Sequence, residues 1–134
     1  MKIPSYDFLT KALNDEDPWV RHYAIDALAE LGSPEAKALL LTKLRDKNEW
    51  VRLAVLEAIQ KLEITEVMDE LLISLKDRSV EVRLVAAETL GKFRASKAVE
   101  ALAESALNRD GFEEDRVREK AIWALGEIGG RRAV

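Results

Sequence analysis

The stretch DKNEWVRLAVLEAI at residues 46–59 decides the fold of this 134-residue chain, because its parts recur at regular intervals. The Val-Arg dipeptide within it also begins at residues 20, 82 and 117, so successive copies are 31, 31 and 35 residues apart. A period of roughly 20–50 residues is typical of chains that stack one supersecondary unit several times. The sequence therefore predicts an array of four related repeats.

Each repeat is predicted to be a pair of amphipathic helices. After Arg52, apolar residues follow at helical spacing, as in Val55, Leu56 and Ile59. Leucines four residues apart precede the turn and belong to the other helix; they are Leu9 and Leu13, Leu40 and Leu44, and Leu71 and Leu75. We expect four helical hairpins, at residues 5–31, 34–62, 65–93 and 96–128. No segment alternates with period two for long, so no sheet is expected.

Capping residues stand at the expected helix ends. Asp17, Asn48 and Ser79 each lie four residues before an arginine of the repeat, where an N-cap is expected. Gly129-Gly130 is predicted to end the last helix, since glycine is common at helix C-termini. These positions agree with the hairpin boundaries taken from the apolar pattern.

The pattern Leu-x-x-x-Leu-x-Asp, followed by Val-Arg-x-x-Ala-x-x-Ala-Leu and then Leu-Gly, resembles the HEAT repeat. The short period is similar to that of the bilin-lyase HEAT-like subfamily. The resemblance covers residues 5–134 and implies an all-α fold, a right-handed α-α superhelix (a HEAT-like solenoid) of four helical hairpins and eight helices. It implies a single domain over residues 1–134. Because this scaffold serves many unrelated functions, the resemblance specifies the fold and not the activity.

Charged residues at fixed repeat positions are predicted to be structural. An aspartate in the turn and an arginine one turn into the next helix can form a charge-assisted hydrogen bond. In HEAT repeats such pairs form a ladder between hairpins, and the resemblance assigns that role to Asp15, Arg21, Asp46, Arg52, Asp77, Arg83 and Arg118. Asn108 stands where the fourth aspartate is expected, which leaves that rung in doubt. Anion binding is the alternative role of the arginines.

The composition argues against several functional classes. A net charge of −4 and a pI near 5.2 disfavour general nucleic-acid binding, which needs a cationic surface. No apolar run approaches the roughly 18 residues of a membrane span, and residues 1–4 lack the apolar stretch of a secretory signal. The absence of cysteine excludes disulfide chemistry and fits a cytoplasmic protein. Abundant charge with few amides is typical of thermophiles.

The second helix of each hairpin is expected to carry a binding surface, because the resemblance places it on the concave side. Residues expected to face solvent there form an apolar and aromatic strip and an acidic row; they are Trp19, Tyr23, Trp50, Leu53, Leu84 and Val85, then Asp26, Glu57 and Glu88, with Trp123 in the fourth repeat. Exposed Trp and Tyr are typical of protein-binding hot spots, and an acidic row steers a basic partner. Alternatively, the apolar residues cover seams between hairpins and the acids form a solvated helix face.

These features favour a non-catalytic scaffold that binds another protein, as a peptide or helix of basic or mixed charge. The single histidine, His22, cannot supply a typical zinc site without cysteine, so neither metal nor cofactor is expected. Carboxylates that recur with the repeat do not indicate an acid/base pair. We expect no enzyme activity and no nucleic-acid or membrane partner.

Two alternative functions stay open at this point. Arg131-Arg132-Ala133-Val134 has the pattern of a fifth repeat, so the chain could be part of a larger complex that self-associates through uncapped ends. A bilin-lyase-type subunit is the other, since a tetrapyrrole would favour an aromatic concave surface. The longer loop at residues 108–115 is either a contact loop or tolerated decoration.

Overall fold

The computed structural model describes residues 6–108 and 115–130, and every regular element in those ranges is helical. The α-helices are α1 Tyr6–Leu13, α2 Pro18–Leu31, α3 Pro34–Leu41, α4 Glu49–Lys61, α5 Met68–Ser74, α6 Val80–Lys92, α7 Val99–Leu107 and α8 Asp115–Gly130. Short 3-10 turns, Thr65–Val67 and Ser96–Ala98, precede α5 and α7. The predicted all-α architecture of four helical hairpins is confirmed.

The described helices group into two compact units, Met1–Leu62 and Glu63–Val134. The first unit holds the hairpins α1–α2 and α3–α4, and the second holds α5–α6 and α7–α8. The single domain over residues 1–134 and its superhelical winding stay predictions.

All three predicted N-caps are confirmed. The Asp17 carboxylate accepts a hydrogen bond from the Trp19 amide at 2.9 Å, and the Asn48 side chain accepts one from Trp50 at 2.8 Å. Ser79 caps α6 in the same manner through its hydroxyl oxygen. Each cap satisfies a backbone donor that the helix leaves unpaired, which fixes where the second helix of its hairpin begins.

In the first unit, α2 packs against α1, α3 and α4. The core between them is built from apolar side chains at the repeat positions, and its fully buried members include Leu13, Ile25, Leu28, Leu40, Val55 and Ile59. Burying one such side chain stabilises the fold by roughly 1.5–3 kcal/mol. This core occupies the inward side of α2 and α4 and leaves their outward side to solvent.

In the second unit, α6 packs on α5 and α8, and α7 packs on α8. Gly91 of α6 is buried and lies directly against α8. A Cβ atom at this position would lie 2.7 Å from Cζ3 of Trp123 and 2.8 Å from Cβ of Ala124. The two helices therefore approach to a distance that only glycine permits.

The second helix of each of the first three hairpins is followed by a residue with a left-handed backbone conformation, and these residues are one repeat apart. Gly32, Glu63 and Arg94 have φ of 60°, 53° and 49°. At Gly32 the amide closes the end of α2 by donating to the Leu28 carbonyl at 3.0 Å. Non-glycine residues adopt this conformation at a cost of about 1–2 kcal/mol, so Glu63 and Arg94 are places where local strain is offset by packing elsewhere.

Gly91→Ala should lower the free energy of unfolding by about 1–3 kcal/mol, because the added methyl group forces α6 and α8 apart. Gly126→Ala is the matched control: Gly126 is also within a helix, and a Cβ added there would have no atom within 4 Å. That variant should gain up to about 1 kcal/mol from helix propensity. Urea denaturation of both variants measures this, and a Gly91→Ala protein as stable as the control would contradict the close approach.

Candidate functional site

Arg21 joins the two hairpins of the first unit. Its Nε and Nη2 donate to the two carboxylate oxygens of Asp46 at 2.9 and 3.0 Å, and both side chains are about 5% exposed. Its Nη1 donates to the backbone carbonyls of Asp15 and Glu16 at 2.8 and 3.1 Å. The aspartate–arginine contact expected between hairpins is thus present here, and this guanidinium is occupied by protein acceptors.

Two other repeat arginines bridge the turn that precedes their own helix. Arg52 and Arg83 each donate from Nη1 to the carbonyl of the aspartate six residues earlier, at 2.7 Å. The aspartate side chains also stabilise the turn. A carboxylate oxygen accepts a hydrogen bond from the backbone amide two residues later, at 2.8 to 2.9 Å, in Asp15, Asp46 and Asp77. These arginines and aspartates therefore hold the turn within each of the first three hairpins, and in the first unit Arg21 and Asp46 also join two hairpins.

The fourth repeat departs from this pattern, as the Asn108 substitution suggests. Arg118 donates from Nε to the carbonyl of Ala106 at 3.2 Å, and its Nη1 lies 3.5 Å from a carboxylate oxygen of Asp115. Asn108 is the C-cap of α7. Arg118 thus contacts the end of the preceding helix, and its role in the ladder stays a prediction.

The carboxyl group of Asp46 has opposing influences on its pKa. Burial raises it, but hydrogen bonds from Arg21 and from the Asn48 amide, together with the charges of Arg21 and Lys43, outweigh burial. The net result is a pKa below the ordinary aspartate value. The ionised form is therefore stabilised by folding, and its contribution to stability is lost in acid.

Three aromatic side chains of the first unit lie at the surface. Trp19, Tyr23 and Trp50 are 56%, 67% and 45% exposed. The imidazole of His22 lies beside two of them, with ring centroids 5.7 Å from Trp19 and 5.9 Å from Tyr23. With Asp26 and Glu57, which are also exposed, these aromatic residues define what we call the α2–α4 face. A large contiguous patch of exposed apolar surface is a mark of an interaction site.

A groove of about 400 Å³ lies on the α2–α4 face. Its lining combines small buried alanines with charged side chains; it consists of His22, Asp26, Ala29, Glu30, Ala54, Glu57, Ala58 and Lys61. Lys61 Nζ lies 2.6 Å from Glu30 Oε1, and this hydrogen bond and charge lower the pKa of Glu30. Since one lysine faces three carboxylates, the groove is acidic.

The other apolar residues predicted for the binding surface are less exposed than the three aromatic residues of the α2–α4 face. Leu53, Leu84 and Val85 are half-buried, so they contribute only part of their surface. In the second unit Trp123 is 38% exposed and lies over Gly91. Packing within its own unit thus accounts for part of its placement.

A charged side chain links two predicted positions of the second unit. Lys120 Nζ is 5.0 Å from the Trp123 ring centroid and 3.5 Å from the Glu88 carboxylate. Glu88 is itself half-buried and balanced by that lysine, whereas Asp26 and Glu57 line an acidic groove. The partner-binding role of all these residues stays a prediction, and the first unit carries the more open arrangement.

Sequence reasoning missed the contribution of Glu30 and Lys61 to the groove. The signal was present, because these residues occupy the same repeat position and have opposite charges. Residues at one repeat position become neighbours when hairpins stack, so opposite charges there predict a pair. Reading each position across repeats for charge, rather than for apolarity alone, would have found it.

The HEAT repeats family model matches residues 6–77 and 68–134, so this chain belongs to the HEAT repeat family. HEAT repeats are commonly protein-interaction scaffolds. The match does not distinguish the bilin-lyase subfamily, which stays a prediction. No curated protein matches the chain.

Some predictions fall outside the described ranges. Residues 109–114 of the longer loop and the terminal segment 131–134 lie there, so their proposed roles stay predictions. Within residues 6–108 and 115–130, no group of three or more His, Cys, Asp or Glu side chains is arranged to hold a metal ion. None of the helices in that part of the chain combines the length and apolarity needed to cross a bilayer.

Asp46→Asn should lower the free energy of unfolding by about 3 kcal/mol at pH 7, because it leaves the buried Arg21 guanidinium without a counter-charge. Asp15→Asn is the matched control: its side-chain oxygen still accepts the turn hydrogen bond, so the cost should stay below about 0.5 kcal/mol. Chemical denaturation measures both values. Equal losses in the two variants would contradict the assignment.

The difference in the free energy of unfolding between the wild type and Asp46→Asn should depend on pH. The folded-state pKa of Asp46 lies below its unfolded value of about 3.9, so the stabilisation is fully present above that value and is lost as the pH falls through the folded-state pKa. The stability gap between the wild type and Asp46→Asn should therefore be constant near neutrality and narrow below about pH 4. A gap that widens in acid would contradict this.

Proposed function

We propose that this protein is a non-catalytic binding module that captures a peptide or helix of another protein on the α2–α4 face. The observation that carries the proposal is the juxtaposition, in one unit, of exposed aromatic rings with an acidic groove. Membership in the HEAT repeat family supports a protein partner in general. The partner chemistry follows from the two parts of the face.

The aromatic part favours apolar anchors on the partner. Trp19, Tyr23 and Trp50 expose about half or more of their surface. Tryptophan and tyrosine are enriched in interface hot spots because they bury a large apolar area at low entropic cost and retain a polar edge for hydrogen bonding. A helix or extended peptide that presents Leu, Phe or Met would cover these rings and remove them from water.

The acidic part favours a basic side chain on the partner. Asp26 and Glu57 stand on neighbouring helices that pack together, and both line the groove. The alanine side chains of the groove leave room for a long, flexible chain such as that of lysine or arginine. A lysine or arginine placed there would add a charge-assisted contact and would raise the association rate through electrostatic steering.

The α2–α4 face is better suited to binding than to catalysis. His22 packs beside Trp19 and Tyr23, and its Nδ1 lies 3.3 Å from the Asp26 carboxylate. Among the described residues that line the groove, none is a Ser, Thr or Cys nucleophile beside that pair. We therefore propose no enzymatic role. As a separate proposal, we place the protein in the cytoplasm.

Selection of peptides from a random displayed library tests this function. The enriched peptides should combine Lys or Arg with Leu, Phe or Met, and Trp50→Ala should weaken their binding at least about tenfold, as expected of a hot-spot residue. Ile73→Ala is the control, since Ile73 is 56% exposed on α5 of the second unit. Circular dichroism should show unchanged helicity in both. Failure to enrich peptides, or equal binding by both variants, would contradict the proposal.

The acidic groove has its own readout in the association rate. Added salt should slow capture of a basic peptide by the wild type, because screening weakens the attraction of Asp26 and Glu57. In the Asp26→Asn/Glu57→Gln double variant the rate should be slower at low salt and nearly independent of salt. A wild-type association rate that does not change with salt would contradict the steering role of Asp26 and Glu57. It would not affect the proposed role of the aromatic anchors.

A further inference from the structure

One pattern of burial between successive hairpins recurs in both units. In the first unit α4 packs on α2, and in the second α8 packs on α6. The second helix of the leading hairpin buries the residue four positions after its repeat arginine, which is Ile25 on α2 and Ala87 on α6. We call this the forward side of the helix. The second helix of the following hairpin buries its rear side, the residues one before and six after its arginine; they are Val51 and Ala58 on α4, and Val117 and Ala124 on α8.

The forward side of α8 is exposed. Ile122 stands there, four residues after Arg118, and is 60% exposed, whereas its counterparts on α2 and α6 are fully buried. Gly126 repeats the position of Gly91. A Cβ atom added to Gly91 would lie 2.8 Å from Cβ of Ala124, but one added to Gly126 would have no atom within 4 Å. This side of α8 therefore has the residues of a helix–helix contact, and no helix of the described residues covers it.

The rear side of α2 is open in the complementary sense. Val20 and Ala27 stand one residue before and six residues after Arg21, and both are only half-buried. Their counterparts on α4 and α8 are at most 4% exposed. In the turn before α2, Asp15 is exposed, and its carboxylate accepts a hydrogen bond from the Asp17 amide. The first hairpin thus presents the side that a preceding hairpin covers elsewhere in the chain.

The two open sides carry opposite charges of the ladder. The side chain of Arg118 is 33% exposed, whereas that of Arg21 is 5% exposed and shares two hydrogen bonds with Asp46. Among the described residues, the carboxylate nearest to Arg118 is that of Asp115, 3.5 Å from Nη1. No arginine or lysine of the described residues forms an ion pair with Asp15. A ladder arginine beside α8 and a ladder carboxylate before α2 are therefore complementary, and charge complementarity selects partners and orientation.

We infer that α8 of one copy of this chain binds α2 of a second copy, in the manner in which the hairpins of one unit bind each other. Arg118 would donate to the Asp15 carboxylate of the second copy, as Arg21 donates to Asp46. The two surfaces that meet are different, so the contact is heterologous. Such a contact either closes into a ring or continues from copy to copy.

The apolar part of this contact follows from the same register. Ile122 would be covered by the first hairpin of the second copy, which removes an exposed aliphatic side chain from water. Ala27 of the second copy would lie against Gly126, as Ala124 lies against Gly91. None of these residues belongs to the α2–α4 face as defined above, so the inference does not depend on the proposed function.

One pair of like charges limits the strength of the contact. Glu30 and Glu127 occupy the same repeat position, at which successive hairpins of the first unit place Glu30 beside Lys61. The two glutamates would therefore approach each other between copies. Each already has a basic partner in its own unit, Lys61 at 2.6 Å and Arg94 at 3.7 Å, which reduces the repulsion. We expect a weak association with a Kd of about 100 µM.

Sedimentation velocity of the full chain, from about 10 µM to about 1 mM, measures this association. The average mass should rise with concentration. Ile122→Glu and Asp15→Lys should each raise the Kd at least about tenfold, because either change alters every contact between copies. Ile73→Glu is the matched control, since Ile73 is 56% exposed on α5 and undergoes the same chemical change. It should associate as the wild type does.

Mixing the two variants tests the heterologous geometry. The Ile122→Glu chain retains an intact rear side on α2, and the Asp15→Lys chain retains an intact forward side on α8. One contact can therefore form between them, and neither chain can extend it. At about 100 µM each variant alone should be monomeric, whereas the equimolar mixture should form a 1:1 dimer with about the wild-type Kd. Formation of the dimer also shows that both variants are folded.

Four results would overturn the inference. They are a wild type that stays monomeric over the whole concentration range, an Ile122→Glu chain that associates as the wild type does, an equal loss of association in Ile73→Glu, and an equimolar mixture that yields no 1:1 dimer. The circular dichroism of each variant is compared with that of the wild type, so that a loss of association through misfolding is recognised.

Discussion

The buried guanidinium of Arg21 is the constraint on which the first unit depends. A guanidinium carries five N–H donors, and burying it without acceptors would cost several kcal/mol. Its acceptors are the backbone of its own hairpin, at Asp15 and Glu16, and the carboxylate of Asp46 in the next hairpin. One rigid, planar guanidinium must donate hydrogen bonds to acceptors in both hairpins. It therefore fixes how far one hairpin is shifted along the other.

That fixed register produces the surface. Residues at equivalent repeat positions become neighbours, as the pairing of Glu30 with Lys61 shows. The inward side of α2 and α4 is committed to apolar packing and to the arginines, so the outward side is where side chains can vary without loss of the fold. Trp19, Tyr23 and Trp50 occupy that outward side, where solvent exposure of aromatic surface is unfavourable unless a partner covers it.

Much of the fold and part of the site follow from the sequence. The apolar periodicity locates the four hairpins, because it recurs in all four repeats. The capping residues locate the starts of three second helices, because an N-cap is a local signal. The close approach at Gly91 could not be predicted, since it depends on the distance between α6 and α8. The left-handed Glu63 and Arg94 carry no local signal, because glycine is the residue that normally marks this conformation. The groove emerges only when helices from different hairpins are brought together.

A double-mutant cycle on Arg21→Gln and Asp46→Asn tests the central claim most directly. The free energy of unfolding at pH 7 is measured for the wild type, both single variants and the double variant. If the pair locks the two hairpins of the first unit, the coupling free energy should be about 2 kcal/mol, and the double variant should be less damaged than the sum of the single ones. A coupling below about 0.5 kcal/mol would show that the hairpins are held together by their apolar core alone and would contradict the account.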